Sequence, residues 1–107
     1  MGNLRIKLSP KADEDFASIV EYKKQFNQST ADKFTLGFIL TISQLKAFPF
    51  IGTKLENKIK SLKGKGYRFL PYDKHAIIYS INDTEEFVLI ETIYPFAKDL
   101  LRFEPNK

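Results

Sequence analysis

The N-terminal stretch Leu4-Arg5-Ile6-Lys7-Leu8-Ser9-Pro10 joins an alternating apolar segment to a helix-start signal. Alternation puts Leu4, Ile6 and Leu8 on one face of the chain, which predicts a half-buried strand over residues 4–8. Ser is a favoured N-cap residue, and Pro is favoured at the first position of a helix. The stretch therefore predicts a strand that runs directly into a helix.

Two helices are predicted after this strand. Apolar residues at helical spacing, from Ala12 to Phe26, predict the first helix over residues 10–26. Ser29-Thr30-Ala31-Asp32 resembles a capping box, and an apolar stripe from Phe34 to Phe48 predicts the second helix over residues 30–47. The short connection makes the two helices an antiparallel hairpin, and we expect the stripe to lie in the core.

The second half of the chain is predicted to form strands. The segments are residues 59–62, 66–71, 76–81 and 87–93, and residues 97–103 are predicted to add a helical turn. Tyr79 alternates with Ile77 and Ile81, which predicts a packed position in the core. We expect one α+β domain over residues 1–107. A helical hairpin covers one face of a small, mostly antiparallel sheet in this prediction.

Composition limits the classes of function. The 107 residues are 43% hydrophobic and 28% charged, which is typical of a globular domain and excludes a disordered chain. The lack of Cys excludes disulfides and thiol nucleophiles, and a single His argues against a transition-metal site. No signal peptide and no membrane-length apolar run is recognised. We therefore expect a cytoplasmic protein without metal, cofactor or membrane contact.

The net charge of +4 is unevenly distributed along the chain. Residues 54–74 hold seven basic and two acidic residues, which is a local net charge of +5. A concentrated basic segment suits nucleic acid or another anionic partner, although it is equally compatible with a solvated turn. The candidates for contact with a nucleic-acid backbone or a phosphate are Lys60, Lys63, Lys65 and Lys74.

Four segments, taken in order, carry a family resemblance. They are Ile6-Lys7-Leu8-Ser9-Pro10-Lys11-Ala12, Leu45-Lys46-Ala47-Phe48-Pro49, Gly66-Tyr67-Arg68-Phe69-Leu70-Pro71-Tyr72 with the following His75-Ala76-Ile77-Ile78-Tyr79, and Ile93-Tyr94-Pro95-Phe96-Ala97-Lys98-Asp99-Leu100. Together they resemble the RelE/ParE superfamily of toxins from type II toxin–antitoxin systems, also described as plasmid stabilization proteins. Two positions differ from the common pattern. Tyr94 stands where many members have His, and Lys98 stands where many have Arg.

The resemblance implies a bacterial toxin that arrests growth and is neutralised by a cognate antitoxin in a hetero-oligomeric complex. RelE-like members are metal-free endoribonucleases, or mRNA interferases, that cut mRNA on the ribosome. ParE-like members inhibit DNA gyrase without catalysis. The basic segment favours mRNA cleavage by a small margin, so whether this chain is an enzyme stays open. The alternatives are a gyrase inhibitor, a degenerate toxin without catalytic activity, or a nucleic-acid-binding domain that is not a toxin.

Metal-free RNA cleavage requires a base for the 2′-hydroxyl, an acid for the leaving oxygen and cations for the transition state. Arg68 suits bidentate pairing with the scissile phosphate, and its structural alternative is a surface ion pair on an exposed strand. His75 is an acid–base candidate because the unperturbed pKa of His lies near neutrality. A lone His is nevertheless more often structural or simply exposed.

Tyr94 and Lys98 complete the predicted catalytic set. Tyr94 suits base stacking or proton transfer, and its structural alternative is packing against Phe96 or Phe103. Lys98 suits a phosphate or an acidic partner. It lacks the planar fork of the Arg found in many relatives, which argues against a bidentate contact.

Overall fold

The computed structural model describes residues 3–95 and 100–105. Its helices and strands are β1 (Arg5–Leu8), α1 (Pro10–Lys24), α2 (Gln28–Ser43), β2 (Thr53–Lys54), β3 (Arg68–Tyr72), β4 (His75–Asn82) and β5 (Phe87–Pro95). Short 3₁₀ turns occupy Gln44–Lys46, Leu55–Asn57, Lys60–Leu62 and Leu100–Arg102. The predicted α+β class and the strand–helix–helix–strands order are confirmed.

The five strands form one open sheet in the order β1-β5-β4-β3-β2. β1 pairs with β5 in parallel, and the other three pairings are antiparallel, as predicted for a mostly antiparallel sheet. Ile78 pairs with Thr92 while Tyr79 pairs with Ile90, so Glu91 is an extra residue in β5. This β-bulge shifts the register between the two ends of the β4–β5 pair.

Helix α1 begins where the sequence predicts it. The Ser9 hydroxyl accepts a hydrogen bond from the Ala12 amide at 3.0 Å, and Pro10 occupies the first helical position. The helix ends at Lys24, two residues before the predicted end, and the next two amides, of Gln25 and Phe26, bond to carbonyls three residues back. Phe26 therefore leaves the buried stripe, and 70% of its surface is exposed.

Helix α2 begins two residues earlier than predicted. Its N-cap is Asn27, whose side-chain oxygen accepts a hydrogen bond from the Thr30 amide at 3.2 Å, so the capping box predicted at residues 29–32 is wrong. The stripe that includes Phe34 and Phe38 is buried as predicted. Phe48 lies beyond the helix and is 63% exposed, so its predicted place in the stripe is wrong.

The helix-facing side of the sheet carries the larger of two cores, which we call the helix-side core. Its buried members are Ala12, Phe38, Ile42, Leu45, Ile77, Tyr79, Val88, Ile90 and Ile93. The predicted burial of Tyr79 is confirmed. Helix α2 lies close to β3 at Gly37, where a Cβ atom would fall 2.1 Å from the Tyr72 hydroxyl. That hydroxyl donates to the Phe34 carbonyl at 2.8 Å and ties the helix to the sheet.

A second core covers the opposite face of the sheet, and we call it the turn-side core. Its buried members are Leu55, Ile59, Leu62, Phe69, Ala76, Ile78, Leu100 and Phe103. Residues 59–62 are predicted as a short strand. Instead, Ile59 is the N-cap of the 3₁₀ turn Lys60–Leu62. Ile59 and Leu62 both pack under the sheet, which a strand cannot arrange because residues three apart point to opposite faces.

The C-terminal part of the chain contributes to the turn-side core. The turn Leu100–Arg102 confirms part of the helical turn predicted over residues 97–103, and positions 97–99 lie outside the described residues.

No helix in the described part of the chain is long and apolar enough to cross a membrane.

Candidate functional site

Arg68 holds the loop of residues 48–52, which we call the clamped loop. Arg68 opens β3, and its Nη1 donates hydrogen bonds to the Gly52 carbonyl at 2.7 Å and to the Phe50 carbonyl at 3.2 Å. Its guanidinium carbon also lies 5.0 Å from the centre of the Phe50 ring. The side chain is half-buried and makes no ion pair with any of residues 3–95 and 100–105. Backbone carbonyls of the loop are thus its main partners.

Tyr79 holds the same loop from the helix-side core. Its hydroxyl donates to the Pro49 carbonyl at 2.7 Å and accepts from the Gly52 amide at 2.9 Å. Burial raises the pKa of Tyr79 above the ordinary value of 10.0, and the Gly52 hydrogen bond and the Arg68 charge act in the opposite direction. A Cβ atom at Gly52 would lie 2.5 Å from this hydroxyl and 2.8 Å from the Phe69 carbonyl, so a larger residue does not fit.

The clamped loop displays large apolar side chains to solvent. Phe48 is 63% exposed, Phe50 is 62% exposed and Ile51 is 46% exposed. In the sequence, Pro49 and Gly52 indicate only that a helix ends before them. Three large apolar residues within a Pro- and Gly-containing loop were the available signal for a functional surface, since isolated loops are usually polar.

His75 lies at the far end of the β3–β4 pair. Its Nδ1 is 2.7 Å from the Asp73 carbonyl oxygen, and because a carbonyl can only accept, Nδ1 donates this hydrogen bond. The ring meets the Phe34 ring edge-on with 6.1 Å between centres. Asp73 and Lys74 form the tight turn before it, both with positive φ. His75 is half-buried between this turn and helix α2.

The predicted catalytic residues do not lie around one point. Arg68 pairs with Tyr79 and His75 pairs with Tyr72, so the two candidates are four residues apart along the strands, or roughly 13 Å. Tyr94 packs on the turn-side core, on the opposite face of the sheet, with its ring 5.6 Å from that of Phe103. Lys98 lies outside the described residues. The catalytic roles of these four residues stay a prediction.

The predicted phosphate-binding lysines fall into two places. Lys60, Lys63 and Lys65 are exposed on the turns that cover the turn-side core. Lys74 lies at the other end of β3, in the turn before His75. These roles also stay a prediction.

A cavity of about 290 Å³ lies between Phe50 of the clamped loop and the turn at Gly64 and Gly66, next to Lys63 and Lys65. Its charged lining consists of Lys54 and Arg68 together with Glu56 and Asp83. Because two carboxylates lie beside two cations, the cavity has little net positive potential with which to attract an anion. Glu56 additionally accepts a hydrogen bond from the Gly64 amide at 2.9 Å, which closes the adjoining turn. Among residues 3–95 and 100–105, no group of three or more acidic or His side chains is placed to hold a metal ion.

Comparison with known proteins places the chain in a family. Residues 6–99 match the family model described as the ParE toxin of the type II toxin–antitoxin system parDE. A solved chain of the chromosomal ParDE toxin–antitoxin system from P. aeruginosa has the same fold, with a TM-score of 0.67 and 15% sequence identity. The match covers 86% of this chain and 95% of that one. A search of curated proteins found no match.

Proposed function

The chain belongs to the ParE toxin family of type II toxin–antitoxin systems, and we propose that it arrests growth by binding and inhibiting DNA gyrase. The proposal reverses the small preference for mRNA cleavage that the basic segment gives at the level of sequence. It makes the protein a binder whose effect comes from occupying its target, without a catalytic step of its own.

The observation that carries the proposal is the separation of the predicted catalytic groups. RNA cleavage requires an acid, a base and a cation within hydrogen-bond reach of one phosphodiester. Arg68 and His75 are roughly 13 Å apart along the strands, and Tyr94 lies across the sheet from both. One phosphodiester cannot contact all three. The charges around the 290 Å³ cavity also offset each other, so it does not concentrate phosphate.

The state of Arg68 supports the same conclusion. A phosphate-binding Arg presents its planar fork to the ligand, with two parallel hydrogen bonds. Here Nη1 is already committed to the Gly52 and Phe50 carbonyls, and the guanidinium lies against the Phe50 ring. These contacts give Arg68 a structural role in holding the loop, which accounts for the side chain without a phosphate ligand.

A toxin of this family is paired with an antitoxin, and we propose that the exposed stripe of α2 receives it. Leu36, Ile39 and Leu40 lie at helical spacing and are exposed, each by half or more of its surface. Such a stripe suits the apolar face of a partner segment. The net charge of +4 suits a segment that is also acidic. The resulting complex is a toxin–antitoxin hetero-oligomer.

The test is to induce the protein in bacteria without antitoxin and to follow DNA and mRNA in the same cells. We expect broken DNA, filamentous cells and intact transcripts. Purified protein should also inhibit supercoiling of relaxed plasmid by purified gyrase. Cut transcripts together with normal gyrase activity would overturn the proposal in favour of mRNA cleavage.

His75→Gln and Tyr94→Phe provide a second, independent test of the mechanism. Both variants remove an acid–base group and keep the shape of the side chain close to that of the wild type. We expect each to inhibit gyrase as the wild type does, because neither residue takes part in a chemical step under this proposal. A ribonuclease would instead lose about 100-fold or more of its rate on losing its acid or base.

A further inference from the structure

The clamped loop combines exposed apolar anchors with a rigid mount. Phe48, Phe50 and Ile51 project to solvent, while the backbone that carries them is fixed by four hydrogen bonds from two side chains. Burying exposed apolar side chains of this size against a partner would provide favourable free energy. A loop fixed in advance loses little conformational entropy on binding. These properties are typical of an interaction surface.

We propose that the clamped loop is the docking site for the protein target of the toxin, with Arg68 and Tyr79 as its positioning residues. The inference rests on the proposed function, because it takes that target to be gyrase. The matching surface on the target has apolar sockets for Phe48 and Phe50 and an acidic group beside them. Each Phe fills a socket and excludes water from it, as aromatic anchors do at protein interfaces.

The charge around the loop determines the kind of partner. Lys46 and Lys54 flank the loop, and Arg68 adds a third cation at its base. Glu56 and Asp83 line the cavity beside Phe50 and offset Lys54 and Arg68 there, so the unopposed cation next to the loop is Lys46. An acidic group on the partner would pair with Lys46 and steer its approach, since the net charge of the three cations and two carboxylates is still positive. A second copy of this chain is disfavoured, since a symmetric contact through the loop would bring the same cations face to face.

The loop is also separate from the stripe proposed for the antitoxin. Leu36, Ile39 and Leu40 form an extended row on α2, which suits a segment that lies along a helix. The clamped loop is compact and follows the C-terminal end of that helix. Two different shapes of apolar surface thus serve two different partners, one that wraps the toxin and one that the toxin engages.

The positioning role follows from the hydrogen bonds. The Tyr79 hydroxyl bridges the Pro49 carbonyl and the Gly52 amide. Arg68 donates hydrogen bonds to the carbonyls of Phe50 and Gly52. Removing the Tyr79 hydroxyl leaves the Pro49 carbonyl and the Gly52 amide without that partner. The anchors would then sample several orientations, and binding would have to restrict them again.

The experiment measures the concentration of purified protein that half-inhibits supercoiling by purified gyrase, with direct binding to immobilised gyrase as a second readout. The test variant carries Phe48→Ser and Phe50→Ser. Phe26→Ser is the control, because Phe26 is also largely exposed and lies at the opposite end of α2, which is about 24 Å long. We expect the double variant to need about tenfold or more protein and the control to match the wild type.

The positioning residues are tested with Tyr79→Phe against Ile77→Val. Both change the helix-side core, but only the first touches the loop. We expect Tyr79→Phe to speed amide exchange at Gly52 and to weaken gyrase inhibition. Thermal unfolding is used to compare the two variants at equal stability. Ile77→Val should then leave amide exchange at Gly52 and gyrase inhibition unchanged. Equal loss of inhibition in the two variants would reduce Tyr79 to a purely structural residue and overturn its positioning role.

The remaining outcomes are distinct. If the wild type inhibits gyrase and the double Phe variant inhibits it equally well, the docking loop is wrong and the proposed function stands. If the folded wild type leaves gyrase untouched, the proposed function fails, and the assignment of the loop to that target fails with it. If the double Phe variant loses affinity for a single-stranded RNA oligonucleotide instead, the loop is a base-stacking platform and the proposal of a protein partner is overturned.

Discussion

The two faces of the sheet are covered by different kinds of structure. Helices α1 and α2 cover the helix-side core, and their own backbone hydrogen bonds maintain their shape. The turn-side core is covered by 3₁₀ turns and the C-terminal segment, which depend on side chains such as Leu55 and Leu62 to stay in place. We therefore expect the helix-covered face to contribute more to the free energy of unfolding than the turn-covered face. A face covered by turns can vary with less cost to the fold.

The largest effect is expected on the helix side. Phe38→Ala removes a ring that is 2% exposed and packs near Phe16 and Tyr72. We expect a loss of about 3–5 kcal/mol in the free energy of unfolding, because the ring leaves a cavity in a packed core. Denaturant unfolding followed by circular dichroism measures this loss.

The control for Phe38→Ala is Leu36→Ala on the same helix. Leu36 is 60% exposed, so its replacement should change stability by about 0.5 kcal/mol or less. Similar losses in the two variants would contradict the assignment of the helix-side core.

On the turn side we expect a smaller loss in the free energy of unfolding and a larger increase in local amide exchange. Leu62→Ala should cost about 2–3 kcal/mol, the low end for buried Leu, because the surrounding turns can close part of the cavity. Amide exchange should accelerate in residues 59–66 more than in α2. Uniform acceleration across both regions would show that the two faces unfold as one unit.

The helix side should also show a dependence of stability on alkaline pH. Burial raises the pKa of Tyr79, and burial followed by the charge of Asp73 raises that of Tyr72. The folded protein thus keeps these protons more tightly than the unfolded chain. Stability is full below the ordinary value of 10.0 and is lost as the pH rises through the higher folded pKa. Tyr79→Phe should flatten the fall measured by unfolding from about pH 9 to about pH 12.

The smallest effect is expected for the exposed cations next to the turn-side core. The double change Lys63→Ala and Lys65→Ala should alter the unfolding free energy by about 0.5 kcal/mol or less, since both side chains are exposed. Thermal unfolding at low and high salt measures the difference. A large loss would mean that the turns are held by charge rather than by Leu62.

The parts of the fold that the sequence predicts well are those with local causes. Ser9 and Pro10 start α1 by themselves, and the stripe of α2 repeats often enough to define the buried face. Residues 59–62, which contain the turn at Lys60–Leu62, are wrongly predicted as a strand because four residues are too few to distinguish helical from strand periodicity. The true arrangement of this turn depends on Phe69 and Ile78, which are distant in sequence.

The candidate site was harder to predict than the fold. The sequence offers Arg68 as a phosphate-binding candidate or a surface ion-pair residue, whereas its carbonyl partners lie 16 and 18 residues earlier in the chain. Alternation predicted that Tyr79 is buried, yet it carries no information about the loop that the hydroxyl reaches. The separation of Arg68 from His75 depends on strand register, which residue types alone do not specify.

The parallel pairing of β1 with β5 has a consequence for how the toxin is made. Arg5 pairs with Phe87 and Leu8 with Ile90, so the first strand finds its neighbour only when the last strand has left the ribosome. Contacts between such distant segments form late and slow the folding of a domain. A ribosome that stops early releases a fragment whose sheet lacks the strand between β1 and β4. Such a fragment leaves β1 without the strand it pairs with and leaves one edge of β4 unpaired.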